Sequence, residues 1–197
     1  MQRNDSLYRL LITAILLAIG MVLPFLTGQL QSFGQLISPL HIPAFICGLT
    51  CGWGWGAALG FVLPILRGLI FGMPPFPAVG LPMAFELLFY GLVTGLAYPM
   101  LRKAFKDRHL VAMLVAMVIA MIVGRCAGGA AKAMMMGVQG QGYAFSVFLT
   151  SYFTGTAVGA VIHLIVCPLI VLALETAKLS PAGKYASASR NAKRREL

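Results

Sequence analysis

The chain has 197 residues, of which 59% are hydrophobic and only 10% charged, and its 15 Lys+Arg against 5 Asp+Glu give a formal charge of +10. A water-soluble domain carries roughly 25% charged residues to cover its surface, so a soluble enzyme, a disordered tail and a nucleic-acid-binding domain are excluded at the start. The mean hydropathy of +0.88 and the grouping of the basic residues in short clusters between long apolar runs are the pattern of an integral membrane protein.

The apolar runs fall at 10–27, 41–72, 80–101, 109–137 and 148–174. The first follows Arg3 and Arg9 like a signal peptide. Its core exceeds the usual 7–15 residues and no small-x-small cleavage site follows, so it reads as a retained helix. Orientation follows from the bases. Arg3 and Arg9 precede the first run, Arg102, Lys103, Lys106 and Arg108 lie between the third and fourth, and Lys178, Lys184, Arg190, Lys193, Arg194 and Arg195 form the tail. These are 12 of the 15 basic residues, while the connections at 28–40, 73–79 and 138–147 carry none. All three basic segments are therefore expected on the cytoplasmic side.

Parity decides the long second run. A chain that starts inside and is inside again at Arg102 crosses an even number of times, so 41–72 supplies two crossings or none. Its 32 residues are short for two spans of ~20. Trp53-Gly54-Trp55-Gly56 sits near its middle like a turn, which favours two short or irregular helices over a re-entrant loop. The expected fold is all-α integral membrane: six transmembrane helices over 1–175, both termini cytoplasmic, and a basic tail at 176–197 expected to be disordered and to meet anionic lipid. Small residues four apart recur at Ala14/Ala18, Gly48/Gly52, Gly56/Gly60, Gly124/Gly128 and Gly155/Gly159. Such faces let helices approach closely in lipid.

Removing the clustered bases leaves Arg67, Arg125 and Lys132 inside the apolar runs, beside Glu86, His41 and His163. Charge at membrane depth costs a few kcal/mol or more, so each marks a functional-site candidate. Arg67 and Glu86 lie on either side of the turn Met73-Pro74-Pro75-Phe76-Pro77 and are expected to be able to meet as an ion pair, for structure or for ligand. Arg125 lies roughly 25 Å above the basic loop, in the outer leaflet. Lys132, two turns on, shares its face. Glu86 alone cannot neutralise three cations, so the outer half keeps an excess of positive charge that an anion would satisfy. Arginine offers a planar fork for a carboxylate, and lysine a point charge. Lys132 snorkelling to the outer interface is the alternative for that residue.

Nearby on the outer side stand Gln139, Gln141, Tyr143, Ser151 and Tyr152, which bind by hydrogen bonds, and Tyr90, Phe148 and Phe153, which can stack. His41 lies at the outer start of the second helix. His163 lies mid-span in the sixth and is read as a satisfied hydrogen-bonding group. Cys47, Cys51, Cys126 and Cys167 fall within apolar stretches without metal-ligand spacing and are read as packing. No GxxxxGK[ST], GxSxG or HExxH is present, and Ser151 and His163 are about 120° apart on one helix. No cofactor, metal or catalysis is expected, and the chemistry on offer is binding.

With these residues in view, the sequence resembles a substrate-binding S component of an energy-coupling factor (ECF) vitamin transporter. The resemblance covers about 8–175. It rests on the six-helix plan, on Ala14-x-x-x-Ala18, and on Ser38-Pro39-Leu40-His41-Ile42-Pro43 followed by Gly-rich second and third helices. It implies a prokaryotic plasma-membrane protein in which Ala14 and Ala18 dock on a transmembrane coupling subunit, with two ATPase subunits supplying energy. It also implies an outer-side vitamin site that by position matches Glu86, Arg125, Lys132, Gln139 and Tyr152. Substrate would move inward by toppling of the whole S component. The His-Ile-Pro segment and the turn Phe71-Gly72-Met73-Pro74-Pro75 look most like the pantothenate-type branch. Folate is also anionic, and cobalamin-related or pyridoxine-type ligands stay open.

Overall fold

The computed structural model describes residues 5–26, 38–105 and 108–177. Arg3, Lys106, most of the 28–40 connection and the tail from 178 onward lie outside the described residues. Among the described residues there are helices and no strands: α1 (Asp5–Leu26), α2 (His41–Cys51), α3 (Trp53–Phe71), α4 (Gly80–Ala104), α5 (His109–Val138), α6 (Phe145–Leu149), a π-helical stretch (Thr150–Thr154) and α7 (Ala157–Thr176). In lipid every backbone polar group has to be satisfied within the chain, which is why apolar runs of this length fold as helices.

Five helical segments are long and apolar enough to cross a membrane: Asp5–Phe25, Trp53–Phe71, Gly80–Ala104, His109–Val138 and Phe145–Thr176. The 41–72 run is two helices. The first, α2, has only 11 residues, about 16 Å of rise, which is short of an ordinary span. Nearly all of it is buried, enclosed by α1, α3, α4 and α7, so its exposure to lipid is small whatever its length. Among the described residues, α2 thus stands beside five helical segments of span length.

The break between α2 and α3 is Gly52, whose φ of +95° lies where side chains are strained. Past it the chain folds back on itself, and a Cβ at Gly56 would come within 2.7 Å of the Gly48 Cα. The α4 helix crosses this hairpin at close range. A Cβ at Gly91 would overlap the Gly56 carbonyl, and one at Gly60 the Leu87 carbonyl. The small-residue spacing at 48, 56 and 60 is therefore internal packing. Ala14 and Ala18 differ, because both are exposed, on a helix whose outward face also carries Leu7, Leu11, Ile15 and Val22.

Long-range contacts gather several chain segments at one end. Arg9 Nη1 donates to the Cys51 carbonyl at 2.8 Å, joining the start of α1 to the end of α2. Arg102 Nη1 stands 3.6 Å from Glu175 Oε1, and the Tyr98 hydroxyl donates to the same oxygen at 3.3 Å, joining the end of α4 to the end of α7. The start of α1, the end of α4 and the end of α7 thus share one end of the bundle, and the connections without bases, at 73–79 and 138–147, fall at the other.

Candidate functional site

At the end away from Arg102 and Glu175, six chain segments bring polar groups together. The base of the cluster is Ser38, a non-glycine residue at φ +45°. Its carbonyl accepts a hydrogen bond from His41 Nδ1 at 2.9 Å and from His163 Nε2 at 3.2 Å. The two imidazoles lie nearly parallel, with centroids 5.4 Å apart. One turn beyond His41, Phe45 stacks on Tyr90 at 4.6 Å. The start of α2 is thereby fixed against α4 and α7.

On α4, Glu86 and Tyr90 are four apart and share a helix face. The Tyr90 hydroxyl donates to Glu86 Oε1 at 2.6 Å, and His41 Nε2 stands 3.6 Å from the same oxygen. Glu86 is 9% exposed and Tyr90 1%. A carboxylate so enclosed needs partners, and the Tyr90 hydroxyl provides one.

The α5 helix closes over this pair through its glycines. A Cβ at Gly124 would overlap the Tyr90 ring. One at Gly128 would come within 2.9 Å of Glu86 Cβ and 3.1 Å of Tyr152 Cε1. Between them, Arg125 is half-buried. Its guanidinium lies 5.4 Å from the Phe153 ring centroid and within electrostatic reach of the Tyr90 hydroxyl. It makes no ion pair with any described residue, and its Nε is buried without a hydrogen-bond partner. Tyr152 and Phe153 both belong to the π-helical stretch, and single π turns recur where helices are re-aimed at functional sites.

Four of the residues singled out in the sequence therefore converge: His41, Glu86, Arg125 and Tyr152. One expectation is corrected. Arg67 does not pair with Glu86. Its Nη1 donates to the Met21 carbonyl, and its guanidinium lies between the Phe25 and Phe71 rings at 4.9 and 5.4 Å. Chain proximity across the proline turn was outweighed by helix faces: Glu86 turns toward Tyr90 and His41, and Arg67 toward the end of α1. Lys132 Nζ donates to the Ala78 carbonyl at 2.8 Å and anchors the 73–79 turn to α5. Gln139 is exposed and borders a separate groove of about 580 Å³ between α4 and α5, lined by apolar residues such as Leu81, Phe85, Ala131 and Met135.

Tyr90, expected as a stacking ring, is also a hydrogen-bond donor, and the Glu86-x-x-x-Tyr90 spacing marks the helix-face pair. His163 is a hydrogen-bonding group, as its sequence reading has it, and its partner Ser38, 125 residues away, has no local signature. Cys47, Cys51 and Cys167 are free and buried, as packing residues are, whereas Cys126 is free and exposed.

The site offers one guanidinium without a counter-ion, one carboxylate, two imidazoles and aromatic walls, a set suited to holding a small polar molecule. A family model described as ECF transporter, substrate-specific component, matches residues 8–174. No curated protein and no solved structure matches the chain. Components of this kind are transporter subunits rather than enzymes, and they work with a membrane coupling subunit and ATPases. With a match over most of its length and five span-length apolar helices, the chain belongs to the substrate-specific components of ECF transporters and is a multi-pass membrane subunit of such a transporter.

Proposed function

We propose that this subunit captures a water-soluble, anionic vitamin, pantothenate before others, on the extracellular side and delivers it inward when docked on the ATP-driven coupling module. The observation that carries the reading is Arg125. A guanidinium with a buried, unpartnered Nε and no ion pair is costly to keep, and a ligand carboxylate is the group its fork fits. The extracellular assignment follows from the base-free connections at this end.

In this reading Arg125 holds the carboxylate, while Glu86, His41 and Tyr152 line the rest of the pocket. Lys132 acts through the turn it anchors, Arg67 through the α1 end it clamps to α3, and Gln139 at the outer rim. Ala14 and Ala18 form the surface that meets the transmembrane coupling subunit, and two ATPase subunits complete the assembly. Both termini face the cytoplasm of a prokaryotic cell, and substrate crosses by toppling of the whole subunit, as the family resemblance implies.

Calorimetric titration of the purified protein with pantothenate tests the assignment. Saturable one-to-one binding is expected. Absence of heat and of any thermal stabilisation at millimolar ligand would remove pantothenate as the substrate.

A further inference from the structure

The same pocket holds a second open group. Glu86 Oε1 is occupied by Tyr90 and faced by His41. Oε2 receives no hydrogen bond from any described residue and is not among the sealed, unpartnered atoms, and the Glu86 side chain keeps 11% of its surface accessible. On the cationic side, Arg125 Nε is buried without a hydrogen-bond partner among the described residues. Both groups converge on the Tyr90 hydroxyl, which donates to Glu86 and lies within reach of Arg125. The two remaining cations of the outer half are committed elsewhere, Arg67 to the Met21 carbonyl and Lys132 to the Ala78 carbonyl.

We infer that the site reads two features of one ligand, a single carboxylate at Arg125 and a hydroxyl or amide N–H donor at Glu86 Oε2, and so selects hydroxylated monoanions against dianions and against acids that lack a donor. The inference rests on the reading of this pocket as the capture site and deepens it. A carboxylate oxygen left open inside a half-enclosed pocket is stabilised by a donor and destabilised by a second negative charge. A dicarboxylate that places one group on Arg125 brings the other toward Glu86. An acid without a donor leaves Oε2 desolvated and unpaired. A hydroxy acid satisfies both ends.

The test is calorimetry on the purified full chain and on Glu86→Gln. The ligands are pantothenate, its analogue with both hydroxyls replaced by hydrogen, its neutral alcohol analogue, a dicarboxylate of matched length, and the smaller hydroxy acids pantoate and glycerate. For the wild type, loss of the hydroxyls and loss of the carboxylate should each weaken binding at least about tenfold, the step expected for a hydrogen bond to a charged group. In Glu86→Gln the hydroxyl penalty should shrink to about threefold or less, the carboxylate penalty should stay, and the dicarboxylate should bind better than to the wild type. An undiminished hydroxyl penalty in Glu86→Gln overturns the inference and leaves the capture site standing. Equal wild-type binding of the hydroxyl-free acid or the dicarboxylate overturns it as well, without needing a folded variant. Binding of the smaller hydroxy acids but not pantothenate would remove the vitamin assignment and keep the inference. Binding of no hydroxy acid would sink both.

Discussion

Arg125→Ala is expected to weaken pantothenate binding by at least ~1.5 kcal/mol, roughly tenfold, the scale of one hydrogen bond to a charged group. The empty protein should hardly notice the change. Arg125 makes no ion pair with a described residue, its Nε has no hydrogen-bond partner, and its guanidinium faces the Phe153 ring and the Tyr90 hydroxyl. Truncation removes a buried Nε that has no partner, so the melting temperature of the ligand-free protein should stay level or rise. Arg125→Lys should fall between the two, keeping the charge and losing the planar fork. Titration of the three proteins side by side, with melting curves for each, separates a ligand contact from a folding contact. Unchanged affinity in Arg125→Ala would defeat the assignment, and a large drop in melting temperature without ligand would mean that Arg125 holds the fold instead.

Tryptophan at both Ala14 and Ala18 should abolish transport and co-purification with the coupling subunits while leaving vitamin binding by the isolated protein intact. The two alanines are exposed and lie about 6 Å apart along α1, a helix that packs on α2 and α3 through its other side. Close approach of a partner helix at a small-residue face fails once two indoles stand in it. Nothing in the polar pocket involves this face, since the α2 and α4 residues that build it are enclosed elsewhere. Transport assays in cells, pull-downs and ligand titration read the three consequences separately. Loss of binding along with docking would show that these alanines pack the subunit itself.

Charge clustering and apolar length carried most of the fold. The helix ends next to the basic clusters in sequence, at α1, α4 and α7, share one end of the bundle, and the long apolar runs are helices because nothing else satisfies their backbones in lipid. The division of 41–72 was legible from Trp53-Gly54-Trp55-Gly56, and the break falls one residue earlier, at Gly52, where φ is positive. The length of α2 was not legible, because a helix enclosed by four others does not have to match the bilayer by itself. Nor was the π-helical stretch at Thr150–Thr154, which carries no glycine or proline inside it.

At the site, residue type was easier to read than pairing. Placing Glu86, Arg125, His41 and Tyr152 at one end needed only their depth along each run. Deciding which cation met which partner required the faces of four helices. Two of the three cations donate to backbone carbonyls, at Met21 and Ala78, and every residue has a carbonyl, so sequence cannot single these out. The third, Arg125, has an Nε without a hydrogen-bond partner among the described residues. The space beside its flanking Gly124 and Gly128 is filled by Tyr90 and Glu86, which brings α5 close against α4.

The account depends most on an anion filling the place beside Arg125, and native mass spectrometry of the subunit purified from cells grown on rich medium tests it most directly. A one-to-one adduct with the mass of a monoanionic water-soluble vitamin, present in the wild type and absent from Arg125→Ala, is the predicted result. An adduct that persists undiminished in Arg125→Ala, or a wild-type adduct that is a cation or a phospholipid alone, would contradict it.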